Sequence, residues 1–147
     1  MKTSERGLQI IKAYEGIRLK PYRDCVGLYT VGVGHLIGDG TVLPDSWNRT
    51  FTIEEVNELL VADVRKFELG LARYVNVELS QNQFDAIIDY CFNLGLGTFQ
   101  RSSVRQAINR RDKASVVRNL LRYNKAGGKV VPQLDNRRKA EALLFLS

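Results

Sequence analysis

From Ile53 to Tyr74 the apolar residues Ile53, Val56, Leu60, Val64, Phe67, Leu71 and Tyr74 recur every three or four positions, the spacing that buries one face of an α-helix. Thr52 and Glu55 open the run as a capping box, in which hydroxyl and carboxylate each take up a backbone N–H that the first turn leaves unpaired. The pattern predicts a helix of about six turns. In a chain of 147 residues, such a rod is expected to connect a small N-terminal lobe, residues 15–55, to a helical lobe, residues 75–147. A first helix over 4–14 is expected to pack with the second lobe.

The elements on either side follow from shorter signals. Thr3 or Ser4 can cap the first helix, Leu8, Ile11 and Tyr14 share or flank one face of it, and Gly16 stops it. Arg18–Tyr22 and Leu28–His35 read as strands joined by a turn that carries Asp24 and Gly27. In the second strand Thr30, Gly32 and Gly34 would share a face. That bare backbone suits the close approach of a bulky ligand, although glycines in strands equally mark bends and bulges. Residues 36–51 lack helical periodicity and read as loop with short pieces of sheet.

Ser80 with Gln83 opens another helix that ends near Gly95, and further helices are expected over 103–109 and 112–123. Residues 125–132 read as a glycine-containing loop, and a last helix starts near Asp135 or Asn136. The fold class is α+β.

Glu15 falls in the last turn of the first helix, where the negative end of the helix dipole disfavours ionisation. Asp24 and Thr30 follow around the hairpin. Two carboxyls and a hydroxyl gathered at one cleft can hydrolyse a glycosidic bond: one acid protonates the leaving oxygen while the other, ionised, prepares a water on the far side of the sugar. Taken singly, each residue has a plainer reading. A helix-end glutamate is ordinarily solvated, turn aspartates are common, and threonine favours strands.

The spacing carries more than the residues do. Glu15, eight residues, Asp24, five residues, Thr30, then Gly32-Val33-Gly34-His35 resembles the phage-type lysozymes, or endolysins, of glycoside hydrolase family 24. In the tail, Gly127-Gly128 followed by Leu134, Arg137, Arg138 and Glu141 is similar to that family's Leu-x-x-Arg-Arg-x-x-Glu helix. The resemblance spans nearly the whole chain. It implies a lysozyme-like fold and a muramidase that cuts the β-1,4 bond between N-acetylmuramic acid and N-acetylglucosamine in peptidoglycan, with no cofactor and no metal. By the same resemblance Glu15 is the general acid and Asp24 the ionised carboxylate, with Thr30 holding the attacking water. This is an inverting arrangement, which needs carboxyls about 6.5–9.5 Å apart.

The resemblance also implies that Arg137 reaches Glu15, with Arg138 the fallback, and that His35 and Asp63 form a structural ion pair. Leu36, Phe92 and Asn93 match positions lining the family's glycan groove. Tyr123 stands where relatives often have tryptophan. An arginine beside Glu15 would lower its pKa and oppose the helix-end effect.

Charge is unevenly spread. Residues 1–100 hold ten basic and thirteen acidic side chains, a net of −3, whereas residues 101–147 hold twelve basic and three acidic, a net of +9. The basic half suits an anionic polymer of the bacterial envelope, and lysis that weakens with salt is its signature. It also suits nucleic acid, but that reading leaves the Glu15, Asp24 and Thr30 spacing unexplained.

Cys25 and Cys91 form no Cys-x-x-Cys unit and His35 is the only histidine, so a metal or redox site is not expected and both thiols are taken as free. The N-terminus lacks the apolar run of about 7–15 residues of a secretion signal, and no stretch approaches the roughly 20 apolar residues of a membrane span. A monomer accumulating in the host cytoplasm is expected, dependent by resemblance on a membrane-permeabilising holin. Three rivals remain: a lytic transglycosylase, which cuts the same bond without water, a basic nucleic-acid-binding module, and an inactive wall-binding relic, against which the intact trio argues.

Overall fold

The computed structural model describes residues 1–147 and divides them into two compact units, one of Leu8–Arg65 and the other of Met1–Gly7 with Lys66–Ser147. Helix α1 spans Glu5–Glu15. Ser4 Oγ accepts the Gly7 N–H at 3.2 Å to cap its start. Gly16, at φ +80°, ends it, sending its N–H back to the Lys12 carbonyl at 2.8 Å. The left-handed turn there costs a glycine nothing.

Within the Leu8–Arg65 unit, β1 (Arg18–Arg23), β2 (Tyr29–Gly32) and β3 (His35–Leu36) form an antiparallel sheet in that order. The register pairs Tyr22 with Thr30, Arg23 with Tyr29 and Val31 with His35, with an irregularity between Arg18 and Tyr22. The single strand expected over 28–35 is therefore wrong. Gly32 and Gly34 both adopt left-handed φ, +70° and +67°, so β2 stops at Gly32 and the chain reverses through Val33. These glycines make a turn, and the bare strand face read from their spacing does not exist. Gly32 also permits close packing, since a Cβ there would lie 3.1 Å from Val56 Cγ1.

Residues 45–47 form a short 3-10 turn where pieces of sheet were expected. Helix α2 (Ile53–Tyr74) then begins on the predicted box: Thr52 Oγ1 accepts the Glu55 N–H at 3.1 Å and Glu55 Oε1 the Thr52 N–H at 3.0 Å. The first part of its apolar stripe, Val56, Leu60 and Val64, is buried, as are Ile11, Val31, Val33, Ile37 and Phe51 of the same unit.

In the other unit, α3 (Gln81–Leu94) starts at Ser80 with both capping-box bonds present. A five-residue helix α4 (Leu96–Gln100) follows Gly95; it is too short to have shown a period. Helices α5 (Ser103–Asn109) and α6 (Lys113–Leu120) come next. The segment expected to be loop is a hairpin, β4 (Lys125–Ala126) with β5 (Lys129–Val130). Gly127 and Gly128 supply two successive positive φ values, the requirement of a tight two-residue hairpin turn. Helix α7 (Pro132–Leu146) begins three or four residues before its expected start because Pro132 occupies its first turn, where a missing N–H costs nothing. Helix α7 packs on α3 and α6, around a core that includes Ile87, Ile88, Phe99, Leu120 and Phe145. No helix is long and apolar enough to cross a membrane.

Candidate active site

Asp24 is held by its own turn. Its Oδ1 accepts the backbone N–H of Val26 at 3.0 Å and of Leu28 at 2.9 Å, and its own N–H bonds the Leu28 carbonyl at 2.9 Å. One carboxylate oxygen is consumed by this geometry. Oδ2 carries no hydrogen bond and keeps its lone pairs for something outside the turn. Thr30, 4% exposed, donates its hydroxyl hydrogen to the same Leu28 carbonyl at 3.0 Å. With its hydrogen committed, Thr30 Oγ1 can only accept.

Glu15 is the final residue of α1 and is exposed. The charges of both acids are felt at Tyr22. Burial raises its phenol pKa above the ordinary value; the Arg18 cation opposes that rise, while the negative charges of Asp24 and Glu15 add to it. Sequence reasoning passed over Tyr22, whose signal was its place two residues before Asp24 in the strand.

His35 Nδ1 lies 2.8 Å from Asp63 Oδ2 and 3.0 Å from Oδ1, and the imidazole stacks on Trp47 at 5.7 Å. The pair is partly exposed and joins β3 to α2. Leu36, the next residue, is exposed at 42%. Cys25 is exposed and Cys91 buried, both as free thiols. Burial pushes the Cys91 thiol well above its usual range, which makes it inert as a nucleophile.

The remaining predicted residues belong to the other unit. Phe92 is half-buried against Phe67, ring to ring at 5.5 Å. Asn93 Oδ1 is buried with no hydrogen-bond partner in the protein. Tyr123 meets Tyr90 edge-on at 5.4 Å. Arg137 is buried and forked onto Asp89, Nε to Oδ2 at 2.9 Å and Nη2 to Oδ1 at 2.8 Å. Arg138, fully buried, bonds Glu141 Oε1 at 2.5 Å. Asp89 was missed in the sequence because α3 gives no periodic reason to bury an acid; only the fold brings α7's arginine to it. No group of three His, Cys, Asp or Glu side chains suited to a metal ion is present.

Residues 12–141 match the family described as Phage lysozyme. The chain belongs to that family. The endolysin of Salmonella phage P22 is 37% identical over 148 residues, covering 100% of this chain and 99% of that protein. A solved structure of a P22 lysozyme mutant superposes with a TM-score of 0.88 at 36% identity, over 100% of this chain and 99% of the other. The muramidase domain of SpmX from Asticaccaulis excentricus gives 0.87 at 28% identity, over 99% and 98%. The fold is lysozyme-like. The endolysin of Bacillus phage PZA is also 37% identical, over 149 residues; this phage lysozyme family member aligns in full but spans only 56% of that relative's length.

Proposed function

We propose that this chain is an endolysin, a lysozyme that hydrolyses the β-1,4 bond between N-acetylmuramic acid and N-acetylglucosamine in bacterial peptidoglycan. The observation that carries the reading is the pair of acceptors on the hairpin. Asp24 Oδ2 is left open by a turn that fixes Oδ1, and Thr30 Oγ1 has already spent its own hydrogen on Leu28. A water that donates one hydrogen to each of them has its lone pair turned outward, toward an anomeric carbon.

The reaction then balances. Glu15 gives its proton to the bridging oxygen as the C1–O bond breaks, water adds to C1 from the other face, and its released proton goes to Asp24. The anionic Asp24 also stabilises positive charge developing at C1. Attack opposite the leaving group inverts the anomer. In the same reading, Arg137 reaches Glu15, His35 and Asp63 brace β3 against α2, and Leu36, Phe92, Asn93 and Tyr123 line the glycan groove. No cofactor takes part.

The decisive measurement is product analysis of digested peptidoglycan. Reducing N-acetylmuramic acid ends of inverted configuration are expected, and Glu15→Gln should leave the wall intact. Anhydro ends, together with an active Asp24→Asn protein, would instead identify a transglycosylase.

Anionic envelope polymers complete the proposed partners. Arg137 and Arg138 are turned inward, so the outward positive charge concentrates between Arg101 and Val131, where nine basic residues accompany a single acid, Asp112. Lysis should therefore slow as salt rises past physiological strength; a salt-independent rate would remove this part. A monomer released from the cytoplasm by a holin belongs to the same proposal, and co-expression with and without a holin tests it.

A further inference from the structure

The hairpin face that carries the two acceptors also carries a donor. Tyr22 is paired directly with Thr30 across β1 and β2, which places the two side chains on the same face of the sheet, Cβ atoms about 5 Å apart. Asp24 is two residues further along, and its N–H continues the ladder to Leu28, so it shares that side. Arg18 covers the Tyr22 ring from within the strand, its guanidinium carbon 4.4 Å from the ring centroid. The half-buried phenol makes no hydrogen bond within the protein.

The inventory of this face is therefore lopsided. Asp24 Oδ2 and Thr30 Oγ1 accept only, and the Tyr22 O–H is the one donor the three side chains offer. Burial and the charges of Asp24 and Glu15 keep the phenol protonated, Arg18 alone acting against them. A saccharide can meet two acceptors with hydroxyls or with the attacking water, but it needs a donor for its carbonyl oxygens. On N-acetylated sugars the strongest neutral acceptor is the acetamido carbonyl.

We propose that Tyr22 is a further substrate-binding residue, whose phenol donates a hydrogen bond to the acetamido carbonyl of a sugar at the bond being cut. This rests on the muramidase reading and deepens it: the enzyme would recognise N-acetylation as well as the glycan backbone.

The test compares Tyr22→Phe with the unaltered protein on soluble peptidoglycan oligomers, acetylated and N-deacetylated. On the acetylated substrate Tyr22→Phe should lose about three- to tenfold in kcat/KM, the worth of one neutral hydrogen bond. On the deacetylated substrate the two proteins should be equal. A purely structural role would lower both rates alike, and either that result or an unchanged Tyr22→Phe overturns the proposal. Should Tyr22→Phe fold poorly in a thermal melt, 3-fluorotyrosine placed at position 22 keeps the shape and strengthens the donor. It must then raise kcat/KM on the acetylated substrate alone, and no change counts against the proposal. Glu15→Gln runs beside these. If it is as active as the unaltered chain, the muramidase reading falls and takes this one with it; if it is inert while Tyr22→Phe is normal, only the Tyr22 assignment falls.

Discussion

Acids and bases meet in two very different ways in this molecule. In the hairpin of the Leu8–Arg65 unit, Asp24 is fastened through one oxygen to backbone N–H groups and presents the other outward. In the helical unit, Asp89 and Glu141 are about 1% exposed and committed to Arg137 and Arg138. The first arrangement keeps an acceptor in reserve at little cost, since Asp24 is only half-buried. In the second, Arg137 takes both Asp89 oxygens, while Glu141 gives Oε1 to Arg138 and keeps Oε2 unpaired but sealed from solvent. Burying ions costs several kcal/mol each and is offset only by their mutual attraction, so those groups serve the fold. A carboxylate's availability for chemistry is thus set by which of its lone pairs the fold consumes and by whether the remaining ones can be reached from outside.

The largest test of that contrast is Asp24→Asn. Asparagine retains Oδ1 for the Val26 and Leu28 N–H groups, so the turn should survive with stability changed by less than about 1 kcal/mol. Hydrolysis of peptidoglycan should nevertheless fall by about 10²- to 10⁴-fold, the usual worth of a general base. Turbidity clearing and a urea melt on the same sample check both halves. A variant that is unstable yet active in its folded fraction would reverse the roles assigned here.

Arg138→Met addresses the other side. It leaves the Glu141 carboxyl without a partner in the core and should cost about 1–3 kcal/mol in denaturant unfolding. Because Arg138 Nε and Nη1 make no hydrogen bond and the guanidinium otherwise rests 5.1 Å over the Tyr90 ring, the pair is imperfectly satisfied. The double variant Arg138→Met with Glu141→Leu should recover most of the loss. If the double variant stays as unstable as the single one, the pair does more for the fold than offset its own burial.

The same contrast explains what could be read from the sequence. Periodic signals transferred well: the Thr52 and Ser80 boxes, the stripe of α2 and the stop at Gly16 are local, and nothing distant had to override them. Gly32, Gly34, Gly127 and Gly128 were visible but ambiguous, because a glycine announces conformational freedom without saying whether a turn or a close contact uses it. In the hairpin the motif spacing named Asp24 and Thr30, whereas the hydrogen bonds that leave one oxygen open and turn a hydroxyl into an acceptor exist only once Leu28 is in place. Asp89 could not be found by pattern, since it requires α3 against α7, and Tyr22 carried only its spacing from Asp24 until the strand register set it opposite Thr30.

A pH series sharpens the buried half. Burial first, and then the neighbouring Asp89 carboxylate, push the Glu141 pKa well above its ordinary value, against the pull of Arg138. Over the window from the unfolded value near 4.5 up to the raised folded one, the native state holds a proton that the unfolded chain has released. Stability contributed by Glu141 is therefore complete below that window and is lost as pH rises through it, with a slope of at most about 1.4 kcal/mol per pH unit. Glu141→Gln should flatten the slope. A stability curve of unchanged slope would show that Glu141 is ionised in the fold.

The smallest effect is expected where the two regimes meet. His35 and Asp63 are neither open like Asp24 nor sealed like Glu141, with side-chain exposures of 20% and 28%. Partial solvation screens their attraction, so Asp63→Asn, which keeps an oxygen for the imidazole, should cost only about 0.5–1 kcal/mol in a thermal or urea melt. Trp47 stacked on the imidazole at 5.7 Å supplies contact that the substitution leaves untouched. A loss near that of Arg138→Met would mean that the join between β3 and α2 depends on full charge. Exposure would then be a poor guide to which ion pairs this fold relies on, and the division between chemical and structural carboxylates would have to be drawn from connectivity instead.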